Sequence, residues 1–196
     1  MYWSTTENGV VTSDSLKFLF CFSMYISRRA LKKQFDPRQC PVETYLLCEL
    51  RWNGNERSWI HWIRNDVSHV EAYFLQEVFE PRSYGSCDIT WYLSWSPCWS
   101  CCNKIQDFLK RHPNVNINIH VARVYYSEFE QNQRGLRELH EAQRVTIRVM
   151  EEKDYYSCVE TFIQGGVCYG FLPDKFEPAI RKYRLILRNI LEVSTL

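Results

Sequence analysis

Residues 94–104 read SWSPCWSCCNK, so Cys98, Cys101 and Cys102 lie close together directly after Pro97. Clustered thiols serve a disulfide frame, a redox pair or a metal site, or else they pack as small apolar side chains. The chain has nine cysteines, an odd number, without the regular spacing of a small secreted scaffold. The apolar run LKFLFCFSMYI (16–26) has no basic segment before it and no small-residue cleavage site after it. That run is about 11 residues long, too short for a bilayer crossing of ~20. These features predict a reducing, intracellular setting, cytoplasmic or nuclear, in which clustered cysteines bind metal or stay free.

His69 and Glu71 in HVE complete the chemistry. His69, Cys98 and Cys101 offer one imidazole and two thiolates. Three protein ligands and one open position make a catalytic zinc site, whereas a structural zinc would be closed by a fourth side chain. Each group of ligands opens a predicted helix, and a helix N-terminus helps keep a thiolate ionised. Glu71, in the first turn, can face the water position without binding the metal. There it would take a proton as zinc-bound hydroxide attacks, then pass it to a ring nitrogen and a departing amine. Spacing leaves one choice open, because Cys101 is i+3 and Cys102 i+4 from Cys98, and both fall on one helix face. Taken singly, His69 also fits a core histidine and the cysteines a redox pair, although a redox pair needs no upstream His-x-Glu.

These residues need a frame. TYLLCELRW (44–52) and SWIHWI (58–63) read as a hairpin around NGNE (53–56), since Asn-Gly accepts positive φ. HVEAYFLQEVF (69–79) reads as helix, CDITWYLSW (87–95) as a buried strand, and 99–111 as helix. In VNINIHVARVYY (115–126), Val115, Ile117, Ile119 and Val121 share one face with period two. Residues 131–142 read as helix, 145–150 as strand, 154–163 as helix and 175–192 as a last helix. The order predicts one α/β domain with a mixed sheet and helices on both faces. Residues 1–30 are expected to be an N-terminal extension, and 31–196 the domain.

With 196 residues, 45% of them hydrophobic, the chain can bury a full core without disulfide staples. The net charge is +1, but Arg28, Arg29, Lys32, Lys33 and Arg38 crowd one segment, and Arg181, Lys182, Arg184 and Arg188 crowd another. Either cluster alone reads as a solvated helix face. YISRRALKK (25–33) is a candidate nuclear-entry segment. LILRNILEV (185–193) reads as an amphipathic helix or a leucine-rich export signal.

The arrangement H-x-E…P-C-x-x-C is the signature of zinc-dependent nucleobase deaminases, and it selects Cys101 over Cys102. HVE, SCDITWYLSWSPCWSC, FLKRHPNVNI, VARVYY and RGLREL together resemble the AID/APOBEC polynucleotide cytidine deaminases. FDPR (35–38) followed by ETYLLCELRW is most similar to the branch of the apolipoprotein B mRNA editing subunit. The resemblance implies the cytidine deaminase-like three-layer fold, a five-stranded mixed sheet surrounded by about six helices. It implies one catalytic Zn2+ and hydrolysis of cytosine to uracil in single-stranded DNA or RNA. It also implies roles at the substrate. Trp95 would line the target-base pocket and Ser96 its wall. Tyr125 would pack on the target base or its neighbour, and the loop 125–133 would set preference for the preceding nucleotide. Thr44 and Asn65 match positions that contact sugar or phosphate, and Arg38 would meet a phosphate. An aromatic platform suits a flipped base, at ~1–3 kcal/mol per stacked base. Core packing is the alternative for Trp95 and Tyr125, in a chain where 15% of residues are aromatic. Further expected partners are a second copy of the chain or an RNA-targeting protein, and no membrane. Two other readings compete: a catalytically silent zinc protein that binds single strands, and a free-nucleoside deaminase.

Overall fold

The computed structural model describes residues 24–52, 58–65, 68–79 and 86–192. The elements are α1 (Arg28–Phe35), β1 (Tyr45–Trp52), β2 (Trp59–Arg64), α2 (Val70–Tyr73), β3 (Cys87–Leu93), α3 (Trp99–Arg111), β4 (Val115–Val121), α4 (Glu130–Glu141), β5 (Val145–Val149), α5 (Glu152–Phe162) and α6 (Glu177–Glu192). The NGNE turn and residues 1–23 lie outside the described residues.

The five strands form one mixed sheet in the order β2-β1-β3-β4-β5. β1 pairs antiparallel with β2 and β3, and β3, β4 and β5 run parallel. The register follows from alternation along the strands. Ile89, Trp91 and Leu93 of β3 lie beside Ile117, Ile119 and Val121 of β4, and all six are fully buried. Helices α2, α3 and α4 stack on that apolar face, where Phe74 meets the Trp91 ring edge-on at 5.2 Å. The opposite face carries Glu49, Arg51, Asp88, Thr90, Asn116, Asn118 and Thr146, around an open depression of ≈ 590 Å³. Helix α5 reaches this face at Tyr92 through Phe162. The expectation of helices on both faces therefore holds, and among the described residues part of one face carries no helix, where β3 and β4 place polar residues at every second position.

Three elements differ from the sequence reading. Helix α1 was not expected. Ser27 caps it by accepting the Ala30 N–H, and Leu31 and Phe35 reach the core. Helix α2 continues as a π-helical stretch, Phe74–Phe79. The wider turn brings Phe74, Leu75, Val78 and Phe79 closer to one face than an α-helix would, and all four are buried. The strand expected over 115–126 ends at Val121. Beyond it the chain bends across the strand ends, where Ala122 N–H donates to Leu93 O and Arg123 O accepts from Ser96 N–H.

Candidate metal centre and substrate cleft

His69 is the N-cap of α2, and Cys98 is the N-cap of α3. Both helices start at the same end of the sheet, so the two caps meet. Cys98 Sγ lies 3.4 Å and Cys101 Sγ 3.3 Å from His69 Nδ1. A tetrahedral zinc with N and S bonds of ordinary length separates these atoms by about 3.5 Å, so the donor set and its spacing fit the ion. Among the described residues, His69, Cys98 and Cys101 are the one group whose ligand atoms converge within 4.8 Å. Cys102 lies behind them, fully buried, with Sγ turned toward Pro97 O. Helix α4 backs this turn closely, since a Cβ at Gly135 would stand 3.0 Å from Trp99 Cα. Asn132, three residues before that glycine, accepts the Trp99 N–H and so caps α3.

The Cys101 thiol donates to Cys98 and, with His69 nearby, brings the Cys98 thiol down to about 5 against the effect of burial. The hydrogen bond to Cys98 pushes the Cys101 thiol up, with burial and the Glu71 charge adding to it. Glu71 is 3% exposed, and its Oε2 lies 3.4 Å from Cys101 Sγ. Burial pushes the Glu71 carboxyl above its usual range, with the Cys98 charge adding to the effect. A carboxyl raised in this way suits proton exchange near neutral pH.

A cleft of ≈ 120 Å³ opens over the centre, and it is lined by Thr44, Asn65, His69, Glu71, Trp95, Ser96, Cys98 and Tyr125, with Val42 and Val70. Thr44 and Asn65 hold each other. Thr44 N–H donates to Asn65 Oδ1, and Asn65 N–H donates to Thr44 O. Ser96 Oγ accepts the Tyr125 N–H at 2.9 Å, which leaves the Tyr125 ring edge-on to Trp95 at 6.3 Å. Trp95 Nε1–H donates to Pro41 O. Arg38 stands apart from the cleft lining. Asp36 grips its guanidinium at 2.9 and 2.7 Å, and its cationic carbon lies 4.8 Å from the Phe176 ring centre. Among the scattered cysteines, Cys48, Cys87, Cys158 and Cys168 are buried free thiols and Cys40 is exposed, while Cys21 lies outside the described residues. The sequence reading passed over Val42 and Pro41, which carry no chemical signal beyond their place in the segment before β1.

The APOBEC4-like AID/APOBEC deaminase family model matches residues 34–165. Three curated relatives align over 132 residues, or 66% of this chain. These are the C→U-editing enzymes APOBEC-1 of Homo sapiens (40% identical, 56% of its length), Mus musculus (42%, 57%) and Monodelphis domestica (39%, 55%). The chain thus spans little more than half the length of the relatives it matches.

Proposed function

This chain belongs to the AID/APOBEC deaminase family, and from that premise we propose that it hydrolyses cytosine to uracil in single-stranded DNA or RNA. The reaction consumes one water and releases ammonia. The observation that carries the reading is Glu71, a buried carboxyl beside the converged His69, Cys98 and Cys101 at the floor of an open cleft. The C→U editing named for the matched relatives supports the same chemistry.

His69 Nδ1, Cys98 Sγ and Cys101 Sγ would hold one zinc ion. When bound there, zinc supplies the Lewis acidity that makes a water a nucleophile at neutral pH. Glu71 takes one proton from the attacking water at a carboxylate oxygen and delivers it to the ring nitrogen, then carries a second proton, from the hydroxyl newly bonded to the ring carbon, to the amino group, which leaves as ammonia when its C–N bond breaks. Burial keeps the carboxyl from being held as a fully solvated anion, so both transfers stay close in energy. Trp95 and Tyr125 form the aromatic walls against which a flipped base rests. Ser96 fixes Tyr125 through its backbone. Thr44 and Asn65 would meet the sugar or phosphate at the mouth, and the loop 125–133 the preceding nucleotide. Arg38 would reach a phosphate from outside the cleft.

The same reading proposes one deaminase domain over 31–196 with 1–30 as an extension, action in the cytoplasm or nucleus, and a second copy or an RNA-targeting protein as partner. No helix among the described residues is long and apolar enough to cross a membrane. The test is mass-spectrometric detection of uracil in a single-stranded DNA oligonucleotide, and in its RNA counterpart, each carrying one cytosine. Conversion by the parent and none by Glu71→Gln supports the reading. If the parent converts neither strand while binding both and holding zinc, the silent binding protein replaces it.

A further inference from the structure

Arg123 is fully buried, two residues beyond the end of β4. A buried guanidinium is costly unless its donors are met. Here Nε–H donates to Gln39 O at 2.6 Å, Nη1–H to Ser94 O at 2.6 Å, and Nη2–H to Gln34 O at 2.8 Å and to Asp36 O. Three of the four acceptors belong to one stretch, the end of α1 and the segment leading to β1. The fourth directly precedes Trp95. The cationic carbon also lies 5.0 Å from the Trp95 ring centre, and the Trp95 N–H reaches Pro41 O on that same segment.

One side chain thus joins the two walls of the cleft. The wall with Val42 and Thr44 continues the segment whose carbonyls Arg123 holds, and the wall with Trp95 and Ser96 continues from Ser94. The metal-ligand residues sit elsewhere, at the starts of α2 and α3. We infer that Arg123 is a positioning residue, which locks the 34–41 segment to the end of β3 and thereby sets the gap in which the substrate strand is received. The inference rests on the deaminase reading of the cleft. A lysine carries the same charge but cannot serve four carbonyls spread across a plane. Loss of the lock moves a wall and leaves the proton-transfer groups in place.

The test is Arg123→Lys, assayed at varied concentration of single-cytosine oligonucleotides that differ in the preceding base, with zinc content measured alongside. The expected result is a KM about 10- to 100-fold higher, a kcat within about threefold of the parent, a flattened preference for the preceding base and unchanged zinc. Parent-like KM and preference in a folded, zinc-loaded variant would overturn the inference. A lower kcat at unchanged KM would do the same, since it marks lost active protein and no misplaced wall. Pro37→Gly covers the case in which Arg123→Lys does not fold. It frees the same segment while keeping every Arg123 donor, and it must raise KM in the same way, whereas a parent-like KM there also overturns the inference. If the parent itself deaminates neither DNA nor RNA, the deaminase reading fails on its own. Oligonucleotide affinity by fluorescence anisotropy then decides on Arg123, with tenfold weaker binding supporting the lock and equal binding refuting it.

Discussion

His69 and Cys98 cap two different helices, yet His69 Nδ1 and Cys98 Sγ stand 3.4 Å apart. The proposed metal site is therefore assembled by the way α2 and α3 start at one end of the sheet, and neither helix contains it alone. Parent protein is expected to carry one zinc per chain by elemental mass spectrometry. His69→Ala and Cys98→Ala each remove one of the three proposed ligands, and should purify with little or none. Cys102→Ala should keep its zinc, because that sulfur faces Pro97 O. Zinc retained by Cys101→Ala and lost by Cys102→Ala would reverse the ligand assignment.

Glu71 has a second testable property. Its carboxyl is buried, and burial raises its pKa, so the folded protein bears the cost of a desolvated acid. Glu71→Gln keeps the shape and removes that cost. The variant is expected to lose turnover by at least about 10²–10⁴-fold, the usual contribution of a positioned general acid-base group. Its melting temperature should equal or exceed the parent's, the familiar exchange of stability for activity at a functional site. A marked fall in melting temperature would mean that Glu71 serves the fold more than the reaction.

Ser96 and Tyr125 test the proposed substrate wall. Ser96 is 3% exposed, and its hydroxyl oxygen accepts the Tyr125 N–H. Ser96→Ala leaves that N–H without its partner, at a cost of about 1–3 kcal/mol in unfolding free energy. Tyr125→Ala removes the ring itself. Loss of one base-stacking contact predicts a KM for a single-stranded oligonucleotide roughly 5- to 150-fold higher. Denaturant melts of the first variant and steady-state kinetics of the second check the two effects separately. Unchanged KM in Tyr125→Ala would return Tyr125 to the role of a packing residue.

The convergence of His69, Cys98 and Cys101 was legible in the sequence because ligand chemistry demands particular residue types at particular spacings. His69, Glu71, Cys98 and Cys101 needed only two helix starts to bring them together. The strands were legible for a similar reason, since Val115, Ile117, Ile119 and Val121 repeat with the period of the pleat. Arg123 was not legible. It sits inside an apolar run, and its four acceptors are carbonyl oxygens, which every residue possesses. No residue type signals a contact with a main-chain oxygen. Helix α1 was hidden for another reason. Its basic residues suggested a charged surface segment, while its anchoring depends on Ile26, Leu31 and Phe35 meeting a core formed by distant parts of the chain. The π-helical stretch at Phe74–Phe79 likewise answers to Trp91 and Phe108, partners with no local signature.

The last prediction concerns the sheet face away from the cleft, where His120 is packed among Tyr92, Arg148 and Asp154. Burial, with the Arg148 charge adding to it, lowers the His120 pKa to about 4, while Asp154 pulls the other way. Arg148 holds both Asp154 oxygens at 2.6 and 2.8 Å, and these bonds keep the Asp154 carboxyl below its usual range despite its own burial. In the unfolded chain His120 takes up a proton near pH 6.5. Between about 6.5 and 4 the unfolded state therefore binds more protons than the folded one, and stability falls as the pH falls. The depressed Asp154 pKa acts in the same sense at lower pH, because its stabilisation is lost as the carboxylate protonates. The histidine contribution alone is on the order of 2–3 kcal/mol across that window. Denaturant melts of the parent at pH 7 and pH 4.5 should show this loss, and His120→Asn should show a distinctly smaller one. Equal losses in parent and variant would mean that His120 is already charged in the folded protein, or that other groups dominate the acid response.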